Sequence, residues 1–284
     1  MADSAMDRLC ISFKALERSQ HTIEDFVLTY FPLHGLDPLK DFLRWWQLLV
    51  FVEGVIYQAD EENEQATGNP TDAARQAGDG GLEAMDQVLQ QRGLLTTGVQ
   101  KELAAGRRYW QQERRLCSLM LQHPAVPEQG HGTACSFTLQ DVLEASAAKS
   151  FDYRLLNHLV YALRKEEPDQ ALLRFLQVDE MLVDIGDDLT DYEDDIDAGS
   201  GSGSFNIFRC FVHLWGRDAP LHMAQRVGEL EQQREQLLAQ LPLEQQRHVR
   251  QRQVEAASEG EGGLRWQMPP IVLDEAAFRR EFAP

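Results

Sequence analysis

Between Asp184 and Asp197 the chain carries eight acidic side chains and no Lys or Arg. Asp187, Asp191 and Asp195 recur at i, i+4 and i+8, with Asp184 and Asp188 one turn away on the same side. On a helix such neighbours stand about 5–6 Å apart at Cβ, and like charges at that spacing repel. A divalent cation reverses the sign. A second acidic group, QADEENEQ at 58 to 65, sets Asp60 and Glu64 one turn apart, with Glu61 beside them and Glu53 two turns earlier on roughly the same face. Both groups close helix-patterned segments, where the macrodipole disfavours acids by about 0.3–1 kcal/mol each. Local stability therefore does not account for them. Magnesium suits the pattern, because it takes hard oxygen ligands, keeps several waters, and prefers one or two carboxylates plus substrate phosphate oxygens to a closed protein cage. Two acidic faces on two helices would clamp metal ions that bridge a diphosphate.

Plainer readings stand beside this one. A run of like charge is often a solvated tail. Here Val183, Ile185, Leu189 and Ile196 alternate with the acids as in a half-buried helix, which favours a site. DEENEQATGN reads equally well as a polar helix end running into an exposed loop. A calcium loop starting at Asp191 fails at Ile196, where it needs glycine, and at Ser202, where it needs its last glutamate.

The segments that must carry these acids read as all-α. Apolar residues recur at three- and four-residue spacing, and alternating β-branched runs are nearly absent. Helical patterning covers Leu39 to about Asn63, Leu82 to about Leu121, a stretch opened by Thr138 as N-cap, Asp152 to Lys165, and Asp169 into the acidic run. FNIFRCFVHLWG continues it, and residues 218 to 258 form one or two surface helices joined near Pro242. Loops are expected at 65 to 81, 123 to 136 and 199 to 204, leaving a short C-terminal tail. There is no phosphate-binding glycine loop, no GxSxG and no HExxH, so the chemistry falls to the carboxylates.

Asp187-Asp188-Leu189-Thr190-Asp191 resembles the second aspartate-rich motif of the trans-prenyltransferases. Asp187, Asp191 and Asp195 resemble the second metal motif of class I terpene synthases, and Asp60-Glu61-Glu62-Asn63-Glu64 resembles the first motif, DDxxD or DDxxE, with one change. On these motifs the chain is similar to the class I isoprenoid synthases over roughly residues 39 to 215. The resemblance implies a terpenoid-synthase-like helical bundle around a central apolar cavity. It also implies Mg²⁺ held by Asp60, Glu61, Glu64, Asp187, Asp188, Asp191 and Asp195, and ionisation of an allylic prenyl diphosphate, farnesyl diphosphate being the favoured substrate.

Two departures shape the reading. Chain-elongating enzymes follow the first motif with paired arginines, whereas this chain offers only Arg75. The expectation is therefore a terpene synthase, a lyase giving a cyclic or linear terpene, although Asp191 stands where cyclases carry Ser or Thr. Arg154, Arg209 and Arg265 are the candidate catalytic residues gripping the diphosphate, together with Lys149. Arg265-Trp266 resembles a late Arg-Tyr pair with Trp in place of Tyr, and Asn206 with Arg209 could fold over a bound anion. Trp45, Trp46, Phe51, Tyr57, Phe151, Phe205 and Phe208 are candidates to face a carbocation, or simply core.

The bulk numbers bound the partners. The 284 residues carry 27 basic against 46 acidic side chains, a net charge of −19. This opposes nucleic acid or an anionic membrane as a partner. Four scattered cysteines read as reduced thiols of a cytoplasmic protein, and WWQLLVFVEGVIY is too short and too polar to span a bilayer. At 43% hydrophobic content a large core is feasible, and the expectation is one all-α domain over 1–284, with a catalytic core at about 39–215 and C-terminal helices and tail at 216–284. The alternative from another class is a non-catalytic helical scaffold that binds partners through 218 to 258.

Overall fold

The computed structural model describes residues 10–67, 80–122, 137–197, 204–259 and 266–282. Among them every regular element is a helix, as the spacing of apolar residues predicts. The helices are α1 (Phe13–Tyr30), α2 (Phe42–Thr67), α3 (Gly80–Gln91), α4 (Thr97–Gln122), α5 (Leu139–Lys149), α6 (Phe151–Arg164), α7 (Gln170–Thr190), α8 (Tyr192–Asp197), α9 (Ile207–Trp215), α10 (Ala219–Leu238), α11 (Leu243–Glu259) and α12 (Glu275–Phe282). No helix among the described residues is long and apolar enough to cross a membrane.

Local chemistry sets several boundaries. Ser12 opens α1 by accepting the N–H of Ala15 at 3.1 Å. Thr138 and Asp141 form a reciprocal capping box at the start of α5, a pattern that satisfies two otherwise orphaned donors. Asp169 follows Pro168 and caps α7 through the N–H groups of Ala171 and Leu172. The stretch from 82 to 121, helical throughout by pattern, is divided where Gly93 adopts φ 69°, a conformation glycine takes without a Cβ penalty. Two further helices lie where the pattern gives none, α1 ahead of the apolar run and α12 in the expected tail.

The packing arranges α2, α4, α6 and α7 around a common interior, with α1 against α2 and α5 and α9 closing the far side. One apolar cluster runs through all of them, from Ile23 and Phe26 of α1 to Val227 of α10 and Val249 of α11. The α4/α6 crossing depends on a missing side chain, because a Cβ on Gly106 would collide with the Phe151 ring. Phe151 in turn stands edge-on to Trp110, with ring centroids 5.3 Å apart.

Candidate functional site: carboxylates facing a shared interior

On α7 the inward side chains are Glu180, Asp184 and Asp188, at i, i+4 and i+8. Glu180 and Asp188 are each 3% exposed and Asp184 is half-buried. Asp187 and Asp191 lie on the exposed side of the helix. The helix ends at Asp191 and restarts as α8, which returns Asp195 to a half-buried position. Asp188 accepts the N–H of Ile207 at 2.7 Å and pairs with the Lys149 ammonium. Asp195 accepts the Ser204 hydroxyl at 2.7 Å and the Asn206 amide at 2.8 Å. Asn206 also donates to the Asp188 carbonyl at 2.6 Å and caps α9 by accepting the N–H of Arg209 at 3.0 Å. These two acids thus fasten the start of α9 to the end of α7.

On α2 the inward acids are Glu53 and Asp60. Glu53 is fully buried, and no hydrogen-bond donor reaches either of its oxygens. Asp60 is half-buried and accepts the Trp110 indole N–H at 2.9 Å, so the Gly106, Phe151 and Trp110 stack orients its carboxylate. Glu61 turns toward α1, where Lys14 and Arg18 stand 3.0 and 3.6 Å away. Glu64 is exposed. Asn63 is buried and donates to Glu113 of α4 at 2.6 Å, and the same carboxylate accepts the Tyr109 hydroxyl and the N–H of Phe205, both at 3.1 Å.

The two rows share one electrostatic environment. Burial raises the Tyr109 hydroxyl far above its ordinary value, and Glu113, Asp60 and Asp188 all add to the rise, so acids of α2, α4 and α7 act on one phenol. Burial opposes the Lys149 charge, but Asp188, Asp184 and Asp195 outweigh it and raise its pKa. Lys149 also acts on Asp60 across the interior. Burial pushes Asp60 up, against the hydrogen bond from Trp110. It lifts Asp184 and Asp188 to about 6 against the pull of Lys149, and Glu113, with help from Asp60, to about 7. Such shifts follow when low-dielectric surroundings disfavour the charged form more than neighbours favour it.

The basic candidates divide. Arg154 is buried, with Nε 2.8 Å from Glu102 and Nη1 3.9 Å from Glu180. Arg209 is fully buried and held bidentately by Glu275 at 2.8 and 2.7 Å. Arg265 lies outside the described residues, and its neighbour Trp266 packs near Gly186 of α7 and donates to Glu231 at 2.8 Å. Of the aromatic candidates, Trp45 is core against Phe31, Trp46 is partly exposed, and Phe51 is half-buried against the core. Phe208 packs on Tyr192 and Phe205 on Tyr109, while Tyr57 is half-buried near Glu53 and Asp152.

Asp152, Glu180, Glu113, Tyr109 and Trp110 join the site without having been singled out by pattern. Glu180 extends the i, i+4 row upstream, a signal open to reading. Glu113 sits among polar neighbours and Asp152 between two aromatic residues, with no period to mark either. Among the described residues no three His, Cys, Asp or Glu side chains converge as a set that could hold a metal ion. Comparison with protein-family models, curated proteins and solved structures finds no match.

Proposed function

We propose that the chain is a magnesium-dependent class I terpene synthase that ionises an allylic prenyl diphosphate, farnesyl diphosphate first among them, at the interior shared by α2 and α7. The observation that carries this reading is the pair of inward carboxylate rows, Glu53 and Asp60 on one helix and Glu180, Asp184 and Asp188 on another, with Lys149 acting on both. Their oxygens are hard donors, and magnesium needs only one or two carboxylates when phosphate oxygens complete its shell. A protein-only triad is therefore not required. Asp60, Asp184 and Asp188 would hold the ion, with Glu61, Glu64, Asp187, Asp191 and Asp195 on the flanks.

Bound magnesium would act as a Lewis acid on the departing diphosphate. The remaining work belongs to the chain. Lys149 places a cation among the acids where a diphosphate oxygen would come to rest. Trp110 fixes the direction of Asp60. Asn206 and Ser204 hold Asp195 at the start of α9. The apolar walls of α2, α4 and α6 exclude water from a reactive cation.

The second reading, a non-catalytic helical scaffold, is favoured by one observation. Asp188 and Asp195 already serve the fold by fastening Ser204 to Ile207.

Incubation with geranyl, farnesyl and geranylgeranyl diphosphates, with Mg²⁺ or with EDTA, followed by gas chromatography and mass spectrometry of the extract, separates the two. The enzyme reading expects a hydrocarbon or terpene alcohol that forms only with the metal. No product from any of the three, in folded protein whose melting temperature is unmoved by Mg²⁺ with pyrophosphate, leaves the scaffold.

A further inference from the structure

One face of α4 touches both acid-bearing segments. Trp110 donates its indole N–H to Asp60 of α2 at 2.9 Å. One turn on, Glu113 is 2% exposed, and both of its carboxylate oxygens are in use. Oε2 accepts the side-chain amide of Asn63, again from α2, at 2.6 Å, while Oε1 accepts the Tyr109 hydroxyl and the backbone N–H of Phe205, both at 3.1 Å. The residues on either side of Phe205 bond in the other direction. Ser204 and Asn206 donate to Asp195 at 2.7 and 2.8 Å, and the N–H of Ile207 donates to Asp188 at 2.7 Å. Residues 204 to 207 are thus strung between Glu113 and the acids of α7 and α8, while Glu113 and Trp110 together hold the turn of α2 that carries Asp60.

The donors around Glu113 call for a carboxylate. Asn63 gives its oxygen to the Arg114 guanidinium and so presents its NH2 group to Glu113. Phe205 presents a backbone N–H and Tyr109 a hydroxyl on the other side. Three donors arrive from two directions, and a carboxylate accepts at both ends. An amide in its place has one oxygen and one NH2 group, so it keeps one arm and sets donor against donor on the other. Hydrogen bonds to a charged acceptor are the strong ones.

We propose that Glu113 is a positioning residue that sets the register between the two acid-bearing segments, Asp60 on α2 and Asp188 with Asp195 at the junction of α7 and α8. What the register serves, magnesium held between carboxylates of different helices, rests on the proposed function, whereas the joint itself rests on the bonds above. Glu113 touches neither metal nor diphosphate in this role. It acts through Asn63 on one side and Phe205 on the other. Groups that orient metal-binding carboxylates typically cost about 10–100-fold in metal affinity when they are removed.

Three variants of the full chain grade the joint. Glu113→Met removes both arms. Glu113→Gln keeps Tyr109 and Phe205 on its oxygen and loses Asn63. Glu113→Gln combined with Asn63→Asp restores both, since the amide NH2 then donates to the carboxylate at position 63. Backbone hydrogen exchange, followed without metal or diphosphate, should quicken about tenfold at Phe205 and Ile207 in Glu113→Met, with amides of α10 unchanged, and stay near wild type in the other two. Calorimetry of pyrophosphate at graded Mg²⁺ should show Glu113→Gln needing about tenfold more magnesium for half-saturation. The combined variant should recover most of that loss, and Asn63→Asp alone, which sets carboxyl against carboxyl, should not. A Glu113 that merely stabilises the fold would leave the magnesium requirement of Glu113→Gln at the wild-type value. Unmoved exchange at Phe205 and Ile207 in Glu113→Met, or a combined variant no better than Glu113→Gln alone, overturns the proposal. Wild-type protein that binds no pyrophosphate with magnesium overturns the proposed function instead, and the exchange series then decides the joint.

Discussion

Glu275 and Glu53 are both buried acids, 5% and 0% exposed, and the fold treats them in opposite ways. Glu275 opens α12 amid Arg209 at 2.8 and 2.7 Å, Arg279 at 2.9 Å and His213 at 3.0 Å. Burial works against its charge, but these donors prevail and hold its carboxyl down at about 2. Glu53 has no donor and faces Asp152, and burial raises it well above the carboxylate range, with Asp152 adding to the rise. One region matches its acid with cations, and the other sets carboxyl against carboxyl. Acids matched by cations hold structure together as charges, whereas an acid set against another acid does so only by keeping a proton.

The largest test of this contrast is Glu275→Ala, which strands the Arg209 guanidinium in the core. Removing one partner of a buried pair costs about 3–5 kcal/mol, so urea unfolding should show a loss of that order, and a loss under about 1 kcal/mol would mean the network is not closed. Next comes pH. Glu113 at about 7 and Asp184 and Asp188 at about 6 are raised above their unfolded values. The folded chain therefore binds protons that the unfolded chain releases, and stability rises as pH falls from about 7 toward about 4, at roughly 1.4 kcal/mol per pH unit for each group while pH lies between its folded and unfolded values. Glu275 is shifted down, so its contribution is complete above its unfolded value and fades only as pH falls toward about 2. Melting temperature should accordingly peak near about pH 4, and Glu113→Gln should flatten the slope between about pH 7 and 5.

Glu53→Gln removes the carboxyl that burial makes costly to ionise and is expected to stabilise the chain by about 1 kcal/mol at pH 8, read from the urea midpoint. A destabilised variant would mean that Glu53 answers to a cation of the fold. Smallest in stability are Asp187→Asn and Asp191→Asn, on exposed positions, expected within about 0.5 kcal/mol of wild type. Under the proposed function, with both on the flanks of the ion, either change lowers product formation, so full activity in both would remove them from the metal set.

Much of this was open to reading in the residues, and the limits have physical causes. Three- and four-residue spacing marks α2, α5, α6, α7 and α9 because each buries an apolar stripe. The stripe of α1, Ile23, Phe26, Val27 and Tyr30, lies among charged and polar residues that mask its period. The eight residues of α12 are too few to show a period. The densest acids, Asp187, Asp191 and Asp194, are dense because solvent tolerates them, and the helix turns its sparser row, Glu180, Asp184 and Asp188, inward to bury Ile185 and Leu189. Glu53 stood out as a lone acid within an apolar run. Glu113 and Asp152 gave no sign, since their burial comes from helices distant in sequence.

The ties made by α12 also set an order of assembly. Arg209 waits 66 residues in sequence for Glu275, and Arg279 reaches back to the carbonyl of Ile196. Until those residues leave the ribosome, the α8 and α9 end of the bundle holds a guanidinium without its counter-ion. Helices α1 to α7 can gather their apolar faces early, since chains organise from the N-terminus as they emerge. The end that presents Asp195 and Asn206 becomes rigid last, when the closing helix docks.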